Sequence, residues 1–278
     1  MILKALVMSL GMCVVGAVQA QAPLQIFDAH LHYGGEDVAH FSTEQVLQKF
    51  DESGVKYALI SSTPNDGTEA LYHAAPERIL PFLGFYKELK EKRDWMWNPE
   101  VLERVEARLE RFPYVGLGEF HIFKKDMESP IFAELMQLAA RKNLFLQFHG
   151  DAEVLDKIYQ LAPDSRVLWA HLGTRPEPEF LREVLQKHQG RLWIDTTVRD
   201  KQLLGESGVL SAAWKQLFID YQDSFVVGVD TFSVNRWHHF KEVTDDIRQW
   251  LGQLPPEVAQ KLAFDNAYGL FKPYLKNL

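Results

Sequence analysis

The sequence is poor in cysteine, in basic charge and in long apolar runs, and each shortage excludes a class of protein. One cysteine in 278 residues excludes a scaffold held together by disulfides. The 38 Asp and Glu residues outnumber the 30 Lys and Arg residues, and a nucleic-acid partner would need a basic surface instead. Beyond the N-terminal region, no apolar run approaches the ~20 residues that a membrane-spanning helix requires. A hydrophobic content of 46% excludes a disordered chain.

The first residues have the pattern of a secretory signal peptide. Lys4 precedes an uncharged apolar run from Ala5 to Val18, and small residues follow at the positions that a signal peptidase reads. We expect cleavage after Ala20, which leaves residues 21–278 to act in the periplasm or outside the cell. A retained membrane anchor is the alternative, and the shortness of the apolar run disfavours it.

The predicted leader contains the only cysteine, Cys13, so the mature chain would have no thiol. A lipoprotein attached at Cys13 is disfavoured because the preceding residue, Met12, is large where a small residue is expected. A mature chain without thiols suits an oxidising compartment. It also excludes a cysteine nucleophile, and any metal would have to be held by imidazole and carboxylate groups.

The mature chain consists of short apolar runs that alternate with amphipathic helical patterns. Near-continuous apolar runs are typical of strands buried on both faces, as in a parallel sheet. Eight such units in about 250 residues predict an α/β fold, a single-domain (β/α)8 TIM barrel over residues 21–278. An open doubly wound sheet is the alternative. The predicted strands are Gln25–His32, Val55–Ser61, Ile79–Phe85, Tyr114–His121, Leu144–His149, Arg166–His171, Leu192–Thr197 and Phe225–Asp230.

Residues that can bind a metal lie at the C-terminal ends of these strands, where barrel enzymes carry their active sites. The candidates are His30, His32, Glu119, His149, His171 and Asp230. Because side chains alternate along a strand, His30 and His32 point to the same side and can bind one cation. One histidine at a strand end is more often a structural hydrogen-bonding residue, but the set as a whole predicts a metal site. Imidazole and carboxylate ligands suit zinc, or manganese, iron or cobalt.

The run Asp28-Ala29-His30-Leu31-His32, followed by His149, His171 and Asp230 at later strand ends, resembles the amidohydrolase superfamily. The resemblance covers essentially the whole mature chain. It is closest to the amidohydrolase-related branch, which includes lactonases, other hydrolases and nonoxidative decarboxylases. The segment Asn266-Ala267-Tyr268-Gly269-Leu270-Phe271 is similar to the helix that often closes that branch.

The resemblance implies a role for each of these residues. His30 and His32 would bind a first metal whose shell Asp230 completes. His149 would bind that metal in one-metal members or a second metal in two-metal members. His171 would bind the second metal or polarise the substrate. The resemblance therefore implies a divalent metal, with zinc as the first choice and either one or two ions.

Strand 4 departs from the decarboxylase-like members, which usually lack a metal-binding carboxylate there. Glu119 instead resembles the strand-4 carboxylate of the TatD-like hydrolases, which favours two metals. His121 shares the face of Glu119 one step further out, so it is a candidate substrate-binding residue, with a solvated loop histidine as the alternative. Asp28 lies one layer deeper than His30, and we expect it to orient a histidine, with a buried structural carboxylate as the alternative.

The chemistry follows from the cation, because a bound divalent metal lowers the pKa of its water to about 7. Asp230 would accept a proton and pass it to the leaving group, and His171 would help to stabilise the oxyanion. The expected reaction is hydrolysis of an ester, lactone, amide or phosphoester. A nonoxidative decarboxylase of an unsaturated or aromatic acid is one alternative, and a periplasmic metal-binding protein without catalysis is another.

We expect the partner to be a small-molecule substrate, and the loops that follow the strands contain the residues that could bind it. Arg175 and Arg199 follow closely after strand ends and could each bind a substrate carboxylate. The top loops as a whole have no net sign of charge, so the substrate's charge stays open. The loop Tyr86–Asn98 contains Trp95, Met96 and Trp97, and these either form a pocket wall or pack onto the barrel. The sequence indicates neither a nucleic-acid partner nor a stable membrane anchor, and it leaves oligomerisation open.

Overall fold

The structure is a computed structural model that describes residues 23–275 of the chain. The predicted signal peptide, residues 1–20, lies outside this range. Within the described residues, none of the helices is both long enough and apolar enough to cross a membrane.

Eight parallel strands form one sheet in which each strand pairs with the next along the chain. The first and last strands also meet: the amide of Ala29 donates to the carbonyl of Val227 at 2.9 Å, and the amide of Asp230 donates to that of His30 at 2.8 Å. The predicted (β/α)8 barrel is therefore confirmed, and the open sheet is excluded. The strands are β1 (Ile26–Leu31), β2 (Val55–Ser61), β3 (Ile79–Leu83), β4 (Gly116–His121), β5 (Phe145–His149), β6 (Val167–Trp169), β7 (Leu192–Asp195) and β8 (Phe225–Val226).

The last residues predicted for β6 and β8 lie beyond the strands, in turns. The backbone of His171 has φ 60° and that of Asp230 has φ 54°, so both occupy the left-handed region and leave the sheet ladder. Non-glycine residues adopt this region rarely, mostly where the surrounding structure holds them there. The two candidate ligands are thus placed by turns rather than by strand alternation.

Most of the longer helices bury apolar side chains on the face that covers the barrel, as Val46 and Phe50 do in the helix Thr43–Glu52. Several helices begin with a capping residue. Ser42 and Gln45 form a capping box before the helix Thr43–Glu52, and the Ser129 side chain accepts from the amide of Phe132 at the start of the helix Pro130–Arg141. The helices are α1 (Glu36–His40), α2 (Thr43–Glu52), α3 (Asp66–Ala74), α4 (Glu100–Arg111), α5 (Pro130–Arg141), α6 (Ala152–Leu161), α7 (Pro178–His188), α8 (Asp200–Leu204), α9 (Ala212–Asp220), α10 (Val234–His238), α11 (Phe240–Leu251), α12 (Pro256–Gln260) and α13 (Asn266–Phe271).

The C-terminal helix α13 closes the end of the barrel opposite the candidate site. The Asn266 side chain donates to the carbonyls of Gln222 and Phe225, at 2.7 and 2.8 Å, which fixes the helix to the start of β8. Phe271 is fully buried and stacks on Phe27 with ring centroids 5.9 Å apart. Burial of a side chain of this size contributes about 2–3 kcal/mol. These contacts account for the asparagine and the phenylalanine of the closing segment.

The loop after β3 packs onto the barrel and does not present its tryptophans to a pocket. Trp95 is fully buried against Phe85 and Phe120, and its indole donates to the carbonyl of His121 at 2.7 Å. Trp97 is 55% exposed but lies on the outside. The loop contains two short 3-10 segments, Leu89–Arg93 and Trp95–Trp97. Of the two predicted arrangements, packing onto the barrel is the one observed.

Candidate metal centre

The six predicted ligands converge at the C-terminal end of the barrel, around the carboxylate of Glu119. Its Oε2 lies 3.5 Å from His32 Nε2 and 3.7 Å from His30 Nε2. Its Oε1 lies 3.2 Å from both His149 Nδ1 and His171 Nε2. Oε1 therefore faces His149 and His171, whereas Oε2 faces His30 and His32, with His121 Nε2 as a third neighbour at 3.3 Å.

These contacts divide the centre into two groups of donor atoms. The first group consists of His30, His32, Asp230 and Oε2 of Glu119. In it, Asp230 Oδ1 lies 3.3 Å from His32 Nε2 and 3.8 Å from His30 Nε2. The second group consists of His149, His171 and Oε1 of Glu119, and Asp230 Oδ2 lies 3.8 Å from His171 Nε2. Glu119 and Asp230 each border both groups, so two cations could share them.

Hydrogen bonds fix which nitrogen of His32 can bind a cation. His32 Nδ1 lies 2.6 Å from the carbonyl oxygen of Ser61. A carbonyl oxygen can only accept, so Nδ1 carries the proton and donates. The neutral ring therefore presents the lone pair of Nε2 to the first group. The backbone of His32 is held separately, since its amide donates to the Thr231 hydroxyl at 3.0 Å.

A buried carboxylate on β7, Asp195, orients two further histidines. Its Oδ2 accepts from His30 Nδ1 at 2.9 Å, which leaves His30 Nε2 free for the first group. Its Oδ1 accepts from the hydroxyl of Thr197 at 2.5 Å. Because that hydroxyl proton is committed to Asp195, the Thr197 oxygen must accept from His171 Nδ1, 2.6 Å away. His171 Nε2 is thus left free for the second group.

Asp195 was not identified from the sequence. It is fully buried and also accepts the backbone amide of His171 at 3.0 Å, so it shapes the turn as well as the ring. The available signal was a carboxylate inside the apolar strand Leu192-Trp193-Ile194-Asp195. A buried ionised carboxylate needs hydrogen-bonding partners, and here the candidate ligand His30 supplies one of them.

Of the two roles predicted for Asp28, the structure has the alternative one, that of a buried structural carboxylate. Its Oδ1 accepts the backbone amides of His30 and Val229, both at 3.1 Å, and does not touch an imidazole nitrogen. Its Oδ2 is buried without a hydrogen-bond partner among the described residues. Burial raises the pKa of Asp28 to about 7 although the two amides lower it. The residue therefore fixes backbone near the ligands and does not orient a histidine ring.

The electrostatics favour two ionised carboxylates at the centre. Burial acts to raise the pKa of Glu119, but the charge of His30 and the bonded histidines hold it well below its usual value. The pKa of Asp230 is lowered in the same way, against the effect of burial. Burial acts to lower the pKa of His32, but Asp230 and Glu119 raise it to about 9. A cation that binds here would displace protons from imidazole and meet carboxylates that are already charged.

The donor set suits a divalent cation. Within the described residues, three triads of nearby donor atoms occur: His30, His32 and Asp230; His30, His171 and Asp195; and Glu119, His121 and His149, in which Lys92 engages the His121 nitrogen. The free nitrogens of His30, His32 and His171 are each defined by a hydrogen bond on the opposite ring nitrogen.

A cavity of about 1290 Å³ opens above the centre and contains two of the three predicted substrate-binding residues. His121 and Arg199 line it. Arg199 donates to the carbonyls of His171 and Gly173, at 2.7 and 3.1 Å, so it also holds the turn that carries His171. Arg175 is not brought to this cavity: its guanidinium pairs with Glu177 at 2.8 Å at the surface.

His121 lies beside both groups. Its Nε2 is 3.3 Å from Glu119 Oε2, and its ring stacks on His149 with centroids 4.4 Å apart. Its Nε2 also lies 3.1 Å from the ammonium of Lys92, a residue that the sequence analysis did not identify as functional. Burial lowers the pKa of His121 although Glu119 raises it. Because an ammonium can only donate, Nε2 of His121 accepts from Lys92.

Comparison with known proteins identifies the fold. No family model matches the sequence, and no curated protein matches it significantly. Among solved structures, YjjV, a TatD homologue from Escherichia coli K12, is 17% identical with a TM-score of 0.64, over 90% of this chain and 98% of that chain. A candidate 2-pyrone-4,6-dicarboxylic acid hydrolase from Pseudomonas putida is 13% identical with a TM-score of 0.63, over 90% and 98%. A zinc-bound amidohydrolase from Burkholderia multivorans is 13% identical with a TM-score of 0.58, over 89% and 99%.

The chain has the fold of the amidohydrolase-type barrels. These structures agree with the family resemblance read from the sequence, on both the TatD-like side and the amidohydrolase-related side. At these identities the likeness concerns the fold, and the chemistry has to be argued from the residues of this chain.

Proposed function

We propose that this chain is a divalent-metal-dependent hydrolase of the amidohydrolase type that acts on a small-molecule ester, lactone, amide or phosphoester. The observation that carries the proposal is the position of Glu119. Its two oxygens face two separate groups of imidazoles, at 3.5 Å and 3.2 Å. A carboxylate that faces both groups supports a two-ion centre, and two-ion centres are typical of hydrolysis.

The ligands of the proposed ions follow from the two groups. His30, His32 and Asp230 would hold the first ion, His149 and His171 the second, and Glu119 would lie between them. Neutral imidazole and carboxylate ligands suit zinc, which we propose as the metal. Such an ion, when bound, lowers the pKa of water and polarises a carbonyl or phosphoryl oxygen.

Asp230 is the proposed proton acceptor. Its two oxygens face different groups, Oδ1 towards His32 at 3.3 Å and Oδ2 towards His171 at 3.8 Å. It is ionised at neutral pH because the charge of the imidazoles outweighs the effect of burial on its pKa. Asp230 can therefore accept a proton from the attacking water and donate it to the leaving group.

The walls of the cavity support a substrate with a polar reacting group and an apolar part. The polar floor consists of the two groups, and the rim carries Leu89 and Phe232, which are 65% and 64% exposed. Large exposed apolar side chains beside a polar site commonly contact the apolar part of a ligand.

The test combines metal analysis with a substrate panel. The purified mature protein should contain two equivalents of a divalent metal, measured by plasma mass spectrometry, and should hydrolyse nitrophenyl esters, lactones, amides or phosphotriesters. Asp230→Asn should lower kcat by at least about a hundredfold, as loss of a general base does. Asp246→Asn is the matched control, because Asp246 is an exposed carboxylate that lines the same cavity.

Three results would contradict the proposal. Carbon dioxide release from aromatic or unsaturated acids, with one metal equivalent and no hydrolysis, would support the decarboxylase alternative. Tight metal binding without turnover of any compound would support a metal-binding protein. Near-normal hydrolysis by Asp230→Asn would remove Asp230 from the mechanism.

A further inference from the structure

Lys92 reaches the metal centre from the 3-10 segment Leu89–Arg93, which follows β3. Its Nζ lies 3.1 Å from His121 Nε2, and that nitrogen lies 3.3 Å from Glu119 Oε2. Since the two distances share one atom, the ammonium is at most 6.4 Å from an oxygen that faces the first group. Lys92 also lines the large cavity, so it is accessible to a substrate.

The segment that carries Lys92 is fixed on both sides. Glu91 pairs with Arg104 at 2.9 Å and accepts the amide of Lys87 at 2.8 Å. Trp95 follows three residues after Lys92, is fully buried and donates to the carbonyl of His121. These contacts fix the loop, and the loop therefore holds the ammonium of Lys92 near the candidate metal centre.

Lys92 is not neutralised by a carboxylate. Among residues 23–275, no carboxylate oxygen lies within 4.0 Å of its Nζ, and its hydrogen-bond partner is the imidazole of His121. The other cations that line the cavity are engaged or exposed. They are Lys87 beside Glu100, Lys90 beside Glu88, Arg199 and Arg236 on backbone carbonyls, and the exposed Lys201.

The contact with His121 explains what this cation can do. An ammonium can only donate, so His121 Nε2 accepts from Lys92, and the lone pair is not available to a metal. A divalent cation near Glu119 would repel the ammonium, and an anionic group placed between the two would be attracted by both. The arrangement therefore suits an anion beside the reacting bond.

We propose that Lys92 binds a carboxylate group of the substrate, next to the carbonyl that is attacked at the metal centre. This inference rests on the proposed hydrolysis for the position of that carbonyl. It narrows the substrate to a carboxylic acid that also carries an ester, lactone or amide a few bonds from its carboxylate. A count of charges over all top loops does not detect this site, because distant acidic residues cancel one well-placed lysine.

The experiment compares a charged and a neutral ester of the same shape. The substrates are 4-nitrophenyl hydrogen succinate and 4-nitrophenyl methyl succinate, and the measured quantity is the ratio of their kcat/KM values. We expect the native protein to prefer the charged ester, and Lys92→Met to lower the ratio by about tenfold or more, as loss of a charged hydrogen bond does. Lys92→Arg should retain part of the preference.

Lys90→Met is the matched control, because Lys90 lines the same cavity but pairs with Glu88 at 2.6 Å. It should leave the ratio unchanged. An equal ratio in the native protein and Lys92→Met would overturn the inference while leaving hydrolysis intact. If neither ester is hydrolysed, the proposed function fails for these esters, and succinate binding by calorimetry still decides: binding lost in Lys92→Met supports the inference, and binding retained overturns it.

Discussion

Replacing Asp195 with asparagine should weaken metal binding in both groups of the centre, although Asp195 would touch neither ion. Asparagine has almost the same shape but only one acceptor oxygen. Oδ1 of Asp195 accepts three donors, the amides of His171 and Thr197 and the Thr197 hydroxyl, whereas Oδ2 accepts one, from His30. The amide oxygen of the introduced asparagine will therefore occupy the Oδ1 position, which places its NH2 against His30 Nδ1.

That orientation forces a change in His30. An NH2 group cannot accept the Nδ1 proton, so the neutral ring must move its proton to Nε2. Nε2 then points a hydrogen at the first group and cannot bind a cation. Mutation of a group that orients a ligand typically costs 10- to 100-fold in metal affinity, about 1.4–2.7 kcal/mol. The same range is expected here for the first ion, with a smaller loss for the second, because Thr197 loses a charged acceptor.

The assay is a titration of the metal-stripped protein with Co²⁺ and Zn²⁺ against a chromophoric chelator, which measures affinity without turnover. Thr197→Val is the matched variant: it removes the acceptor of His171 Nδ1 and leaves the bond between Asp195 and His30. It should weaken the second ion and spare the first. Unchanged affinities in Asp195→Asn, with circular dichroism confirming the fold, would refute this assignment of the tautomers.

Two further predictions concern stability. The pKa of Asp28 is about 7 in the folded state and near 3.8 in the unfolded state. Between these pH values the folded state binds more protons, so stability falls as pH rises through that window. With chelator present, Asp28→Asn should therefore raise Tm at pH 8 more than at pH 4, and an equal shift at both pH values would exclude a buried charge at Asp28. Removal of metal should lower Tm. It should also speed amide exchange at Ala29 and Asp230, where the first and last strands meet, more than it does at Leu146 in β5. An equal increase in exchange across the barrel would show that the ions do not stabilise that junction.

The fold could be predicted because its signals are local. Apolar runs and helical spacing within 10 to 15 residues predict strands and helices, and eight alternations leave few architectures. The ends of β6 and β8 could not be predicted as well, because His171 and Asp230 have left-handed backbone conformations in turns that depend on contacts with distant residues. The prediction placed both residues at the correct end of the barrel, but it assigned them to strands, whereas turns position them.

The groups around the ligands could not be predicted because they come from other strands. Ser61 orients His32 through a backbone carbonyl, which has no sequence signature. Thr197 becomes important only as the link between Asp195 and His171. Lys92 is one of many lysines until the loop brings it to His121. In each case the role of the residue depends on a contact with a distant segment of the chain, and a single sequence does not show which segments are in contact.

The closure of the barrel and the construction of the first group use the same residues. β8 pairs with β7 over only two residues, Phe225–Val226. Beyond them, the junction with β1 includes bonds from Ala29 to Val227, from Val229 to the carboxylate of Asp28, from Asp230 to His30, and from His32 to the Thr231 hydroxyl. Each of these bonds involves a candidate ligand or a residue within two positions of one.

Gly228 shows how tightly this junction is packed, since a Cβ there would lie 2.8 Å from the amide nitrogen of His30 and 2.9 Å from Asp28 Oδ1. A substitution at the junction therefore disturbs folding and metal binding together, and an activity assay alone cannot separate them. Asp195 acts from β7, outside the junction, and reaches the first group through one hydrogen bond. For that reason, metal affinity in Asp195→Asn tests the construction of the centre more cleanly than mutation of any ligand.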